Sequence, residues 1–142
     1  MKQLCLLIIC TLVGFTQVSQ AQSITKTWQI SLKESIPYMK PAEQASFKQL
    51  DASMLNMMKK SFEKLRYKFS SGGVLKVVTM ADGNPATMPT PGRWTKSGNK
   101  LTLSAVGASA DDKEVFTIVK LTSNVMVLKK EDGQHIAFVA VN

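Results

Sequence analysis

The sequence predicts a mostly β fold: an eight-stranded up-and-down antiparallel β-barrel or partial barrel, with one or two helices between the first and second strands. Three observations carry this expectation. Eight short segments carry strand patterns, most of them alternating apolar and polar residues as half-buried strands require. Glycine-bearing turns separate most of the later segments. About eight strands is also the number at which an antiparallel meander closes on itself and leaves room for side chains or one small ligand.

The first segment is residues 24–32, with Trp28, Ile30 and Leu32 on one face and Thr27, Gln29 and Ser31 on the other. Pro37 and Pro41 punctuate the chain. Beyond them Phe47, Leu50, Met54, Met58, Phe62 and Leu65 recur at three- and four-residue steps and form one apolar helical stripe. Lys48, Ser53, Asn56, Lys60 and Glu63 fall on the opposite side, and Lys59, Lys60 and Lys64 suit the negative pole of a helix dipole. Asp51 offers a second N-cap within this stretch, so residues 41–65 read equally as one helix or as two.

After Arg66 the period becomes two, with strands expected at 66–70, 74–80, 92–96, 100–105, 115–121, 125–130 and 135–141. Gly72-Gly73, Gly98-Asn99 and Asp132-Gly133 supply residues that tolerate positive φ, and Ser123-Asn124 offers a fourth reversal. Asp82 to Pro91 and Ala105 to Glu114 are expected as longer connections. The charges set the faces. Arg66, Lys68 and Lys76 point out, which turns Tyr67, Phe69, Leu75 and Val77 inward, and Lys100 and Thr102 likewise leave Leu101 and Leu103 inside. Strands 115–121 and 135–141 are apolar on both faces, so the helical segment is expected to pack outside one of them or to close a barrel mouth.

The start of the chain reads as an export signal. Met1-Lys2 is a short basic start, Leu4 to Phe15 is apolar, and Ser19-Gln20-Ala21 ends in the small-x-small pattern of a cleavage site, so cleavage is expected after Ala21. The expected organisation is residues 1–21 as signal peptide and 22–142 as one β-barrel domain, delivered to the periplasm or secreted. Both cysteines, Cys5 and Cys10, lie in the removed part and leave a mature chain without thiols. No later segment is long and apolar enough for a transmembrane span.

Catalytic patterns are missing, and no enzyme activity is expected. The sole histidine, His135, cannot hold a zinc site alone, and Asp111, Asp112 and Glu114 read as a solvated acidic tip. No metal or cofactor is expected. The glycines match neither a P-loop nor a dinucleotide fingerprint, because Gly72-Gly73 joins two strands and no helix follows to receive phosphate. The net charge of +8 and the crowding of Lys59, Lys60, Lys64, Arg66 and Lys68 at the helix-to-strand junction favour acidic partners, or serve solubility alone. Nucleic acid is not expected, since no aromatic ladder interleaves the charges.

Tyr67-Lys68-Phe69-Ser70-Ser71-Gly72-Gly73-Val74-Leu75, then Gly92-Arg93-Trp94, then Ser97-Gly98-Asn99-Lys100-Leu101-Thr102-Leu103 and Phe116-Thr117-Ile118, resemble the bacterial lipocalin-like domain family. The shared pattern is an aromatic strand, a glycine turn, a Gly-x-Trp strand, a second glycine turn and Leu-x-Leu. The resemblance covers roughly residues 24–141 and implies a small antiparallel barrel in an exported protein. It departs from the proper lipocalins in three places: Lys26-Thr27 precedes Trp28, no disulfide remains, and helical sequence separates the first two strands.

These readings lead to a binding protein for a small apolar or amphipathic ligand. The expected wall is Trp28, Tyr67, Phe69, Leu75, Val77, Trp94, Leu103, Phe116, Ile118, Met126 and Phe138, with Arg66 or Lys68 near the rim for an anionic head group. The competing reading is a cell-envelope structural or protein-interaction domain whose barrel is filled. An enclosed volume of about 300 Å³ or more separates the two.

Overall fold

The computed structural model describes residues 23–81, 83–88, 91–105 and 107–142. The expected export signal, with Cys5 and Cys10, lies outside the described residues.

In chain order the elements are β1 (Thr27–Ile30), α1 (Leu32–Ser35), a 3-10 turn (Ile36–Tyr38), α2 (Pro41–Gln49), α3 (Ala52–Glu63), β2 (Leu65–Ser70), β3 (Val74–Ala81), β4 (Asn84–Thr87), β5 (Gly92–Ser97), β6 (Lys100–Ala105), a second 3-10 turn (Ala110–Asp112), β7 (Glu114–Leu121), β8 (Val125–Lys130) and β9 (His135–Val141). The strands form one antiparallel sheet in the order β2-β1-β9-β8-β7-β6-β5-β3-β4, and an additional β2–β3 pairing closes it. Eight strands make the barrel. β4 is the ninth, a short edge strand that pairs with the distal half of β3, Val78 opposite Thr87 to Ala81 opposite Asn84. Pro85 within it suits an edge position, where its missing N–H breaks no ladder.

All eight expected strands are present, and β4 occupies part of the expected loop between Asp82 and Pro91. The first strand is shorter than its alternation predicted. It stops at Ile30 because Ser31 opens α1, its hydroxyl accepting from the Glu34 N–H. The ladder to β9 continues through helical residues instead: Ser31 N–H donates to the Ala137 carbonyl, and the Ala137 N–H donates to Ser35 Oγ at 3.0 Å. Among the described residues Ser35 is the buried polar one, and its hydroxyl also donates to the Ser31 carbonyl at 2.7 Å. Ala137 and its cross-strand partner Val127 alternate outward, yet both are fully buried, beside the α1 turn that docks on β9. The two-faced apolarity of 135–141 therefore has the expected cause, a helical segment packed outside that strand. β7 has no such cover among the described residues, and Val115 and Val119 on its outer side are exposed.

The helical stretch is two helices. Asp51 caps α3 by accepting from the Met54 N–H at 2.8 Å, while Leu50 is extended and ends α2. The break resets the helical phase, so the single expected stripe does not survive it. Met54 is 47% exposed, and Leu55, Met58 and Phe62 form the half-buried face of α3. Phe47 and Leu50 hold the same role for the first half.

Candidate functional site

The central part of the barrel is packed. Trp28, Leu101, Met126 and Leu128 are fully buried, and Phe69, Leu75, Phe116 and Phe138 join them in one cluster. Trp28 donates its indole N–H to the Ile24 carbonyl at 2.9 Å, so its polar edge is satisfied within the core. The Lys26 ammonium lies 5.5 Å from the ring centroid of Trp28 and donates to the Ser123 carbonyl. Phe69 meets the half-buried Trp94 edge-on, and Tyr67 meets Phe138 in the same way. Burial pushes the Tyr67 phenol above its ordinary pKa, because the phenolate would lose hydration there.

Two recesses open at the rim beside α3. The larger is a groove of about 440 Å³ between α3 and the outer side of β1 and β9. Gln29 and Val139, which face each other across the ladder, form its floor; Ile30, Leu32 and Ile36 form one wall, and Leu55, Asn56, Lys59 and Glu63 the other. The smaller recess, about 180 Å³, shares Ile30 and Leu32 and adds Phe47, Phe62, Ile136 and His135 at the helix-covered mouth. His135 stacks on Tyr38 at 5.8 Å between ring centroids. Helical segments thus both pack outside a strand and roof a barrel mouth.

A third recess lies where β3 leaves β5. Only Val74 and Leu75 pair with β5, and beyond them β3 turns to β4. The seam exposes Leu75, Val77 and Leu103 to a recess of about 370 Å³ that also carries Asp112 and Glu114.

The thirteen residues expected at the site therefore divide by place. Trp28, Phe69, Phe116, Met126 and Phe138 are in the packed core, with Tyr67, Trp94 and Ile118 half-buried against it. Leu75, Val77 and Leu103 reach the seam recess. Arg66 is half-buried on the outer side, paired in register with Gln29 of the groove floor, and its Nε is buried with no hydrogen-bond partner. Lys68 is exposed. None of the thirteen lines the groove, whose apolar residues are Ile30, Leu32, Ile36, Leu55 and Val139. Ile30 and Leu32 carried a signal as the apolar face of the first strand, and Leu55 as an apolar residue one step off the stripe to which Met54 was assigned. Among the described residues no group of three His, Cys, Asp or Glu is placed to hold a metal ion.

The lipocalin-like domain model matches residues 24–128, from the segment that leads into β1 to the end of β8 but two residues. The chain belongs to the lipocalin-like domain family. Its fold is also that of a DUF4847 family protein from Bacteroides vulgatus, which superposes with a TM-score of 0.52 at 14% identity over 81% of this chain and 92% of that one. A lipocalin-like protein from Bacteroides uniformis gives a TM-score of 0.44 at 17% identity, covering 56% of this chain and 80% of that one. No curated protein matches the chain. This lipocalin-like domain thus has a closed barrel with a filled centre, and the groove beside α3 and the seam recess lie outside that centre.

Proposed function

We propose that the protein is an exported binding protein that holds a small apolar or amphipathic molecule in the groove beneath α3. The observation that supports this most is the groove itself: about 440 Å³, within the range of small-molecule sites, with walls from Ile30, Leu32, Ile36, Leu55 and Val139. Lys33 and Lys59 border it, so an anionic head group has cations to meet. Burial of a ligand's apolar body against these side chains supplies the affinity, and the rim charges set its orientation. In this reading the packed aromatic residues of the barrel hold the frame and do not touch the ligand. Export rests on the pattern in residues 1–21; N-terminal sequencing of the protein from its source is expected to begin at Gln22.

Anilinonaphthalene sulfonate, an anionic apolar dye, is a direct probe. Saturable one-to-one binding is expected, weakened about tenfold by Leu55→Arg, which loses more than one apolar contact of the site. Native mass spectrometry of the protein from its source is expected to show a lipid-sized adduct. Absence of both saturable dye binding and an adduct overturns the proposal. It leaves the second reading, an envelope or interaction domain with a filled barrel, which the complete burial of Trp28, Leu101, Met126 and Leu128 favours.

A further inference from the structure

Three of the eight methionines fall close together in the chain: Met54, Met57 and Met58. All three belong to α3. At about 100° of rotation per residue, Met57 and Met58 stand about 60° and 40° to either side of Met54, so one arc of about 100° carries all three. Residues three and four apart on a helix have Cβ atoms about 5–6 Å from each other. Met54 is such a neighbour of both others, and each unbranched side chain has three torsions with which to bring its sulfur to a common point.

Packing does not account for two of the three. The half-buried face of α3 is Leu55, Met58 and Phe62, whereas Met57 is 66% exposed and Met54 47% exposed. Helix propensity does not select them either, since Leu, Lys, Gln and Glu form helices about as well as Met. What sets these side chains apart is sulfur. A thioether is a soft, neutral ligand that favours copper(I), whereas zinc(II) is held by thiolate, imidazole or carboxylate. Cys5 and Cys10 are the only thiols of the sequence, both in the segment expected to be removed, so no thiolate of the mature chain competes for such an ion.

The surroundings accept a cation on this arc. Lys59 and Lys60 follow Met58, yet the helix turns them about 140° and 120° away from Met54. Lys59 is also paired with Glu63 at 3.7 Å. Asp51, the N-cap of α3, accepts the Met54 N–H at 2.8 Å and so sets a carboxylate one turn before the cluster.

We propose that Met54, Met57 and Met58 form a thioether site on α3 for one copper(I) ion, which silver(I), of the same charge and softness, also fills. The site is separate from the groove, whose α3 residues are Leu55, Asn56, Lys59 and Glu63, and does not depend on a ligand there.

Silver(I), which needs no reductant, is the first probe, added as the nitrate in chloride-free buffer to the mature chain labelled at its methionine methyl groups. The methyl resonances of Met54, Met57 and Met58 are expected to shift together and to stop at one equivalent. Met88, 49% exposed and isolated in sequence, is expected not to shift over that range. Zinc(II) is expected to move none of them. Copper(I), held reduced by ascorbate and set against a colorimetric chelator, is expected to bind with the same stoichiometry. Met54→Leu and Met57→Leu keep apolar volume and helix propensity at exposed positions, so each is expected to keep the parent melting temperature. Each is nevertheless expected to weaken copper(I) binding about tenfold or more, since even an outer partner of a metal ligand is worth that much. Met88→Leu is expected to leave the affinity unchanged. A Met88 shift at the same silver(I) concentration as Met57 marks binding by lone thioethers and overturns the proposal. Failure to saturate at one equivalent, an equal response to zinc(II), silver(I) binding without copper(I) binding, or an affinity indifferent to Met57→Leu overturns it too.

Discussion

Gly73 and Trp94 meet backbone to backbone at the turn that joins β2 to β3. The Trp94 N–H donates to the Gly73 carbonyl at 2.9 Å, and a Cβ placed on Gly73 would stand 2.9 Å from the Trp94 carbonyl oxygen. Gly73 also has φ +78°, a region that other residues enter only with strain. Gly73→Ala therefore meets both a conformational penalty and a backbone clash, and is expected to destabilise the fold by about 2–3 kcal/mol. Gly72→Ala is the control: it has φ +84° with nothing within 4 Å of the added carbon, so only the backbone penalty of about 1 kcal/mol applies. Urea denaturation midpoints of the two variants check the difference, and equal midpoints would remove the clash from the account.

The two tryptophans are expected to differ in the same assay. Trp28 is fully buried with its indole N–H on the Ile24 carbonyl, so Trp28→Ala should cost about 3–5 kcal/mol. Trp28→Phe keeps most of the apolar contact and removes one of the two hydrogen bonds to the Ile24 carbonyl, which keeps the Lys26 N–H, a loss of about 1 kcal/mol. Trp94 is half-buried and donates to the Ser70 carbonyl at 3.1 Å; Trp94→Ala should lower the melting temperature by several degrees, less than Trp28→Ala. A larger effect at Trp94 than at Trp28 contradicts this order.

The barrel was legible because each strand carries its own signal. Lys68 between Tyr67 and Phe69, or Lys76 between Leu75 and Val77, fixes which side faces water, and the Gly72-Gly73 and Gly98 turns fix which strands are neighbours. The groove was not legible for the opposite reason: its walls come from residues far apart in sequence whose apolarity has ordinary local explanations. Leu32 continued the alternation of the first strand, and Ser31, the cap that turns it into α1, is also held by its N–H donating to the Ala137 carbonyl, more than a hundred residues away. Leu55 gained its inward place only because Asp51 restarted the helical phase. The inward aromatic residues were assigned to the correct face, but periodicity reports a face and says nothing of the space left between faces. That space depends on how Trp28, Met126 and Phe138 interlock, which is set by packing of all eight strands at once.

Tyr67 gives the fold a weakness at high pH. Its phenol is pushed above the ordinary value of 10.0 by burial, so the folded state holds its proton at a pH where the unfolded chain has released it. Below that ordinary value both states are protonated and the group has no effect on stability. As pH rises past it the unfolded state gains by ionising, and folding stability falls until the folded phenol ionises too. Tyr67→Phe is therefore expected to flatten the decline of melting temperature above about pH 10 relative to the parent chain. An unchanged slope would mean that the ring is hydrated in solution.

Asp51 couples helix stability to the proposed groove. Its carboxylate accepts from the Met54 N–H at 2.8 Å and starts the turn that carries Leu55 and Asn56 into the groove wall. Asp51→Ala removes the cap and is expected to cost about 1 kcal/mol, felt first as faster hydrogen exchange at the Met54 and Leu55 amides. Because the groove wall is made of the same turn, fraying there withdraws Leu55 from the site part of the time, and dye affinity should fall with the loss of protection. Asp51→Ser, which can still accept the Met54 N–H, should restore both. If exchange quickens but dye binding does not change, α3 does not form the wall that the ligand touches, and the groove is not the dye's site.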